Sequence, residues 1–226
     1  MGRYIPTGNE FISLPKINET NAGIEDFTFL SMHHKGMIEI RGTKNEPLIQ
    51  PYIQIDNKEV SLTNLQWSRE HFWLPSLKAK AGAHDFSMTI LTPIGERGFA
   101  IKLSLHGSNS SEINWGLRGF WESNWHCVNE DKELEGTVHC YESHWNDSII
   151  FDFRSGGPVF AFAPMCNQKT KTYYSLENNQ VFYELTRKEH LEKDSVCEMF
   201  FYWGLGFEEV AAATSAKEML RRGWEW

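Results

Sequence analysis

FAIKLSLHG, residues 99–107, decides the fold. Phe99, Ile101, Leu103 and Leu105 alternate with Lys102, Ser104 and His106, the two-residue period of a strand with one face packed and the other wet. The same reading extends outward in both directions. MIEIRG, LIQPYIQI, DFSMTILTP, EINWGLRGFW, GTVHCYESHW, SIIFDFRS, PVFAFAP, KTYYSLENN, QVFYELTR and SVCEMFFYWGLG are short and rich in β-branched and aromatic residues. Turn residues such as Asp56-Asn57, Gly107, Gly156-Gly157 and Asn178-Asn179 punctuate them. From about Phe27 to Phe207 no helical period interrupts the strands, which excludes an alternating α/β chain. A run of this kind must close into a barrel or stack in layers. For 226 residues the expectation is an all-β fold, a large antiparallel two-sheet sandwich. No linker-like stretch divides the run and no repeat period shows, so residues 1–207 are expected to form one domain.

Residues 208–226 break the pattern. EEVAAATSAKEMLRR is acidic at its start and basic at its end, so both ends complement a helix dipole. Gly223 follows, where a helix takes its left-handed cap. Glu218 stands four residues before Arg222, the order for a surface pair. The apolar stripe is Ala212, Ala213, Ala216, Met219 and Leu220. Such small side chains let a helix approach a sheet closely while burying little by themselves. Trp224 falls where it can fold back on Met219 or Leu220.

The formal net charge of −8 argues against a nucleic-acid partner and against docking on an anionic membrane. MGRYIPTGNEF lacks an apolar signal core and no apolar run approaches the length of a membrane span, so a cytoplasmic location is expected. Cys127, Cys140, Cys166 and Cys197 match no zinc or CxxC spacing and read as reduced thiols. No cofactor is expected.

Few residues announce chemistry. His33 and His34 are adjacent on a strand end, so they point to opposite faces and cannot ligate one metal together. His126, Cys127, His139 and Cys140 could meet, with His144 near, if their strands paired; the spacing matches no structural zinc pattern. Glu122, Glu142, Asp147 and Asp152 could supply the carboxylate pair of a glycosidase, yet none stands in a marked context. Nucleophile-elbow, P-loop and dinucleotide motifs are absent. The tryptophans carry more. Trp67, Trp121, Trp125 and Trp145 lie in one central stretch, and Trp121 and Trp125, four apart, would share one side of a regular strand. They are the candidate platforms for sugar rings, although Trp more often fills a core.

WLPSLKAKAGAHDFSMTILTPIGERGFAIKLSLHGSNSSEINWGLRGFW, residues 73–121, resembles the β-domain that precedes the catalytic barrel in bacterial glycoside hydrolases of the six-hairpin class. The similarity lies in a W-x-P strand, a P-x-G-x-R-G turn and the hairpin that follows, and it extends over roughly residues 24–226. It implies a galactose-mutarotase-like supersandwich, followed by a linker helix with an A-x-x-x-L-R-R-G-W-E ending, here Ala216–Glu225, leading to an (α/α)6 barrel outside this chain. On that resemblance the catalytic acids lie in the barrel and none is carried over. Ala216, Met219, Leu220 and Trp224 would touch the next domain. Three functions stay open. The first is a non-catalytic domain that supports such a barrel and contributes to carbohydrate binding. The second is a free-standing carbohydrate-binding module. The third is an aldose mutarotase or epimerase, which needs a His acid and a carboxylate base in one cleft.

Overall fold

The computed structural model describes residues 4–31, 36–71, 73–122, 125–143, 149–155 and 159–224. In chain order the strands are β1 (Thr7–Gly8), β2 (Ile12–Ile17), β3 (Ile24–Ser31), β4 (Gly36–Arg41), β5 (Gln50–Ile55), β6 (Lys58–Glu59) and β7 (Leu62–Glu70). Next come β8 (Leu74–Ala81), β9 (His84–Leu91), β10 (Gly98–His106), β11 (Ser111–Glu122), β12 (Trp125–Cys127) and β13 (Lys132–Leu134). Then follow β14 (Gly136–Glu142), β15 (Ile149–Ser155), β16 (Val159–Cys166), β17 (Lys171–Glu177), β18 (Gln180–Leu191) and β19 (Val196–Gly206). The helix α1 (Glu209–Arg222) comes last, and no described helix is long and apolar enough to cross a membrane.

The strands form an eight-stranded sheet in the order β14-β15-β16-β19-β10-β9-β8-β7, a six-stranded sheet β1-β2-β3-β4-β12-β13 and a five-stranded sheet β17-β18-β11-β5-β6. The expected antiparallel sandwich is present, built from three sheets and not from two. Phe99, Ile101, Leu103 and Leu105 of β10 are all buried, as their alternation demands. They join a single core with Phe27 and Phe29 of the six-stranded sheet and Trp115, Leu117 and Trp121 of the five-stranded one. At its centre Phe27 meets Phe162 edge-on at 4.8 Å, while Trp121 stacks on Trp203 at 5.9 Å. Each such ring contributes about 1.5–3 kcal/mol through burial, and offset aromatic pairs add to that.

The helix is seated by absence of side chains. Residues 203–206, WGLG, alternate a core-facing Trp203 and Leu205 with Gly204 and Gly206 on the outer face. A Cβ at Gly204 would lie 2.1 Å from the Ala212 carbonyl oxygen, and one at Gly206 would lie 2.4 Å from the Ala212 nitrogen. Ala212, Ala213 and Ala216 therefore pack on Ile150, Ala161 and Ala163 at backbone range. Further along, Met219 sits with Leu91, Ala100 and Tyr202. Gly223 accepts the end of the helix at φ 78°, its N–H donating to Met219 O at 3.1 Å. Trp224 turns back onto Phe200 at 5.6 Å, with Leu220 and Met219 in the same cluster. The expected Glu218–Arg222 pair does not form. Arg221 takes Glu218 at 2.9 Å, and Arg222 reaches Glu96 of the sandwich at 2.5 Å. Arg222 thus fastens the helix to the sandwich.

Candidate functional site

The outward face of the five-stranded sheet gathers the most chemistry. Along β11 the odd residues Ile113, Trp115, Leu117 and Trp121 point into the core. The even residues Asn114, Arg118 and Phe120 therefore point out. Register sets their neighbours: Tyr173, Glu184, Arg118 and Gln50 form one row across β17, β18, β11 and β5. Arg118 gives a two-pronged hydrogen bond to Glu59, at 2.7 and 3.1 Å, and its guanidinium lies 4.8 Å from the centre of the Tyr52 ring. A planar cation so clamped has its remaining donors fixed in direction. Its Nε is buried and has no hydrogen-bond partner among the described residues.

Glu184 stands beside it. Burial pushes this carboxyl above the usual carboxylate range, Arg118 and Lys171 pull it back, and Glu59 adds to the rise. Burial likewise raises the Tyr52 phenol. Gly116, between Thr186 and Tyr52 in register, has no room for a side chain: a Cβ would lie 2.0 Å from Leu185 O. In the next row Phe120 and Phe182 meet at 5.1 Å, and Tyr173, 52% exposed, meets Phe182 at 6.1 Å. A hollow of about 360 Å³ adjoins the row, lined by Gln50, Tyr52, Glu59, Arg118, Lys44 and Asn21 among others. Aromatic faces beside a fixed guanidinium and two carboxylates suit a ligand with both C–H faces and hydroxyls.

The tryptophans expected as platforms lie elsewhere. Trp121 is fully buried, stacked on Phe151 at 5.1 Å, its indole N–H on Leu48 O at 3.2 Å. Trp125 is buried too, 4.0 Å from Phe153. A ring with both faces covered cannot hold a sugar, so these two are core residues. They belong to different sheets, β11 and β12, so their spacing was not that of one strand. Trp67, on the edge strand β7, is half-buried with its N–H on Glu19 O at 3.1 Å. Trp145, His144, His33, His34, Asp147 and the side chain of Glu122 lie outside the described residues.

The histidine–cysteine cluster does not assemble. β12 pairs with β4 and β13, whereas β14 pairs with β15, so His126 and Cys127 are in a different sheet from His139 and Cys140. Among the described residues no group of three His, Cys, Asp or Glu could hold a metal. Burial pushes the Cys140 thiol far up. Asp152 is buried but taken by Arg154, at 2.9 Å. Ala216 and Met219, expected to touch another domain, are covered by this chain's own sheet, while Leu220 and Trp224 are half-buried beside them. Phe120, Tyr173, Phe182, Arg118 and Glu184 were not singled out by the sequence reading. The signal was there: polar Asn114 and Arg118 fix the even residues as outward, which makes Phe120 an outward ring and Trp121 an inward one.

No protein-family model matches the chain, and no curated protein matches it. Solved structures do. A candidate kojibiose phosphorylase from the human microbiome matches at a TM-score of 0.60 and 12% identity, over 98% of this chain and 33% of its own. A candidate aldose 1-epimerase from Escherichia coli K12 matches at 0.59 and 8% identity, over 91% of this chain and 99% of its own. A GalM/aldose epimerase homologue from C. elegans matches at 0.61 and 8%, with the same coverage. The fold is the galactose-mutarotase-like sandwich. This chain spans a third of the phosphorylase and nearly all of the epimerases.

Proposed function

We propose that this chain is the non-catalytic β-sandwich domain of a larger carbohydrate-processing enzyme, of the glycoside hydrolase or phosphorylase kind. Its roles are to support a catalytic domain and to hold carbohydrate on the outward face of the five-stranded sheet. One observation carries the reading: the phosphorylase match takes in 98% of this chain, which includes most of the terminal helix, and uses only 33% of the longer protein. The Arg118–Glu184 row and the Tyr173 ring support the carbohydrate role. The four free cysteines fit a reducing compartment, so we place the protein in the cytoplasm. The test is the native mass. An antibody to this domain, applied to a lysate of the source cells, should mark a band far above 26.2 kDa. A band at that mass sinks the domain reading.

The epimerase matches, which cover 99% of those chains, favour a second reading as a free-standing aldose epimerase. Polarimetry separates the two. The purified chain should leave the mutarotation of α-D-glucose and α-D-galactose at its spontaneous rate; acceleration lost in Glu184→Gln would favour the epimerase.

A further inference from the structure

The eight-stranded sheet has its own outward face, on the opposite side of the sandwich from the Arg118 row. Under α1 that face is glycine, alanine and apolar. Beyond Gly223 its character changes. Register places Lys78, Ser87, Ser104 and Glu198 in one row across β8, β9, β10 and β19. Ser76, Thr89, Lys102 and Phe200 form the next row. An open strand face is ordinarily covered by long solvated side chains. Here four of the eight positions are short hydroxyl residues, and the result is a trough of about 510 Å³. That volume lies within the ~300–1,000 Å³ typical of small-molecule sites.

The trough has a fixed floor and two walls. Lys102 and Glu198 pair at 2.7 Å, Ser104 donates to the same Glu198 oxygen at 3.1 Å, and Ser76 and Thr89 share a hydrogen bond at 3.1 Å. Lys102 also lies over the Phe200 ring at 5.2 Å, so its ammonium is held from two sides. Trp224, braced on Phe200, makes one wall; Glu70, His71 and Leu74 make the other. Lys78 and Lys102 balance Glu70 and Glu198, which disfavours a charged ligand.

We propose that this trough is a second binding site, for a neutral saccharide. The Trp224 indole takes the C–H face of a sugar ring, while Glu198, Lys102 and the serine and threonine hydroxyls exchange hydrogen bonds with its hydroxyls. The terminal helix then has a ligand-binding purpose: it carries the aromatic wall to the edge of a polar sheet face. The proposal shares the carbohydrate reading above but names a different face.

Amide-resolved NMR titration of this chain with maltose, and separately with cellobiose, tests it. At least one sugar should shift the amides of Ser87, Thr89, Ser104 and Glu198. Trp224→Ala and Glu198→Gln should each weaken that binding tenfold or more, and Lys217→Ala, exposed on the helix and outside the trough, should leave it unchanged. Because Trp224 also packs on the sandwich, Ser87→Ala serves as a variant that touches no helix contact, and it should weaken binding severalfold. Shifts confined to β11, β17 and β18 would overturn the second site and leave the first standing. Absence of shifts with both sugars would overturn it as well, while the native mass still decides the domain reading independently.

Discussion

His84 is a buried titrating side chain of the sandwich. It takes the Ser108 N–H on Nδ1 at 3.2 Å, and so carries its proton on Nε2, which faces Ser111 Oγ at 3.2 Å. Burial lowers its pKa, against the pull of Asp56 and Asp85. A lowered histidine binds its proton less readily folded than unfolded, so its contribution is complete above about pH 6.5 and is lost as the pH falls below that value. Melting temperature should therefore drop as the pH falls below about 6.5, and His84→Gln should flatten that slope while lowering the plateau. A second residue prediction concerns the rings. Trp121→Ala should cost about 3–5 kcal/mol in urea unfolding, as a core cavity does. Tyr173→Ala should leave stability within about 0.5 kcal/mol and weaken sugar binding about tenfold. At this scale the sequence was readable wherever a strand's polar parity was clear. Phe99 to Leu105 went inward as their alternation required. The four-residue spacing of Trp121 and Trp125 carries no common face because the two lie on different strands; the parity set by Asn114 and Arg118 within β11 turns Trp121 inward.

Among the elements, α1 shows how a weakly apolar helix is held. Three buried alanines and one methionine offer little area, and close approach compensates through dispersion at backbone range. The glycines of β19 permit that approach. Gly204→Val should force the helix off the sheet, lower the helical circular dichroism signal and cost about 3 kcal/mol or more, since the clash is with helix backbone and no flexible side chain can yield. The same change at Gly95, whose added Cβ would meet nothing within 4 Å, is a fair comparison only for packing, because φ 83° there favours glycine. The small-residue stripe of the helix was legible in the sequence. Its partner stripe in WGLG was not read, because a glycine inside a strand marks a close approach without saying what approaches.

For the whole molecule, the strand pattern gave the sandwich but not the order of its strands. Alternation reports which face is packed and says nothing about which neighbour lies alongside. The division of the strands among three sheets and the split of β11 from β12 both follow from pairing, which only long-range packing fixes. The least foreseeable pairing is that of β19. It comes last among the described strands in chain order, yet it lies between β10 and β16 in the middle of the largest sheet. Without β19, β7–β10 and β14–β16 would be two half-sheets, each with an unpaired edge. Neither can close until residues 196–206 have cleared the ribosomal exit tunnel. The largest sheet is therefore continuous only once residues 196–206 are in place. A chain stalled before Val196 should appear in the insoluble fraction and be drawn to chaperones, however complete it looks by length.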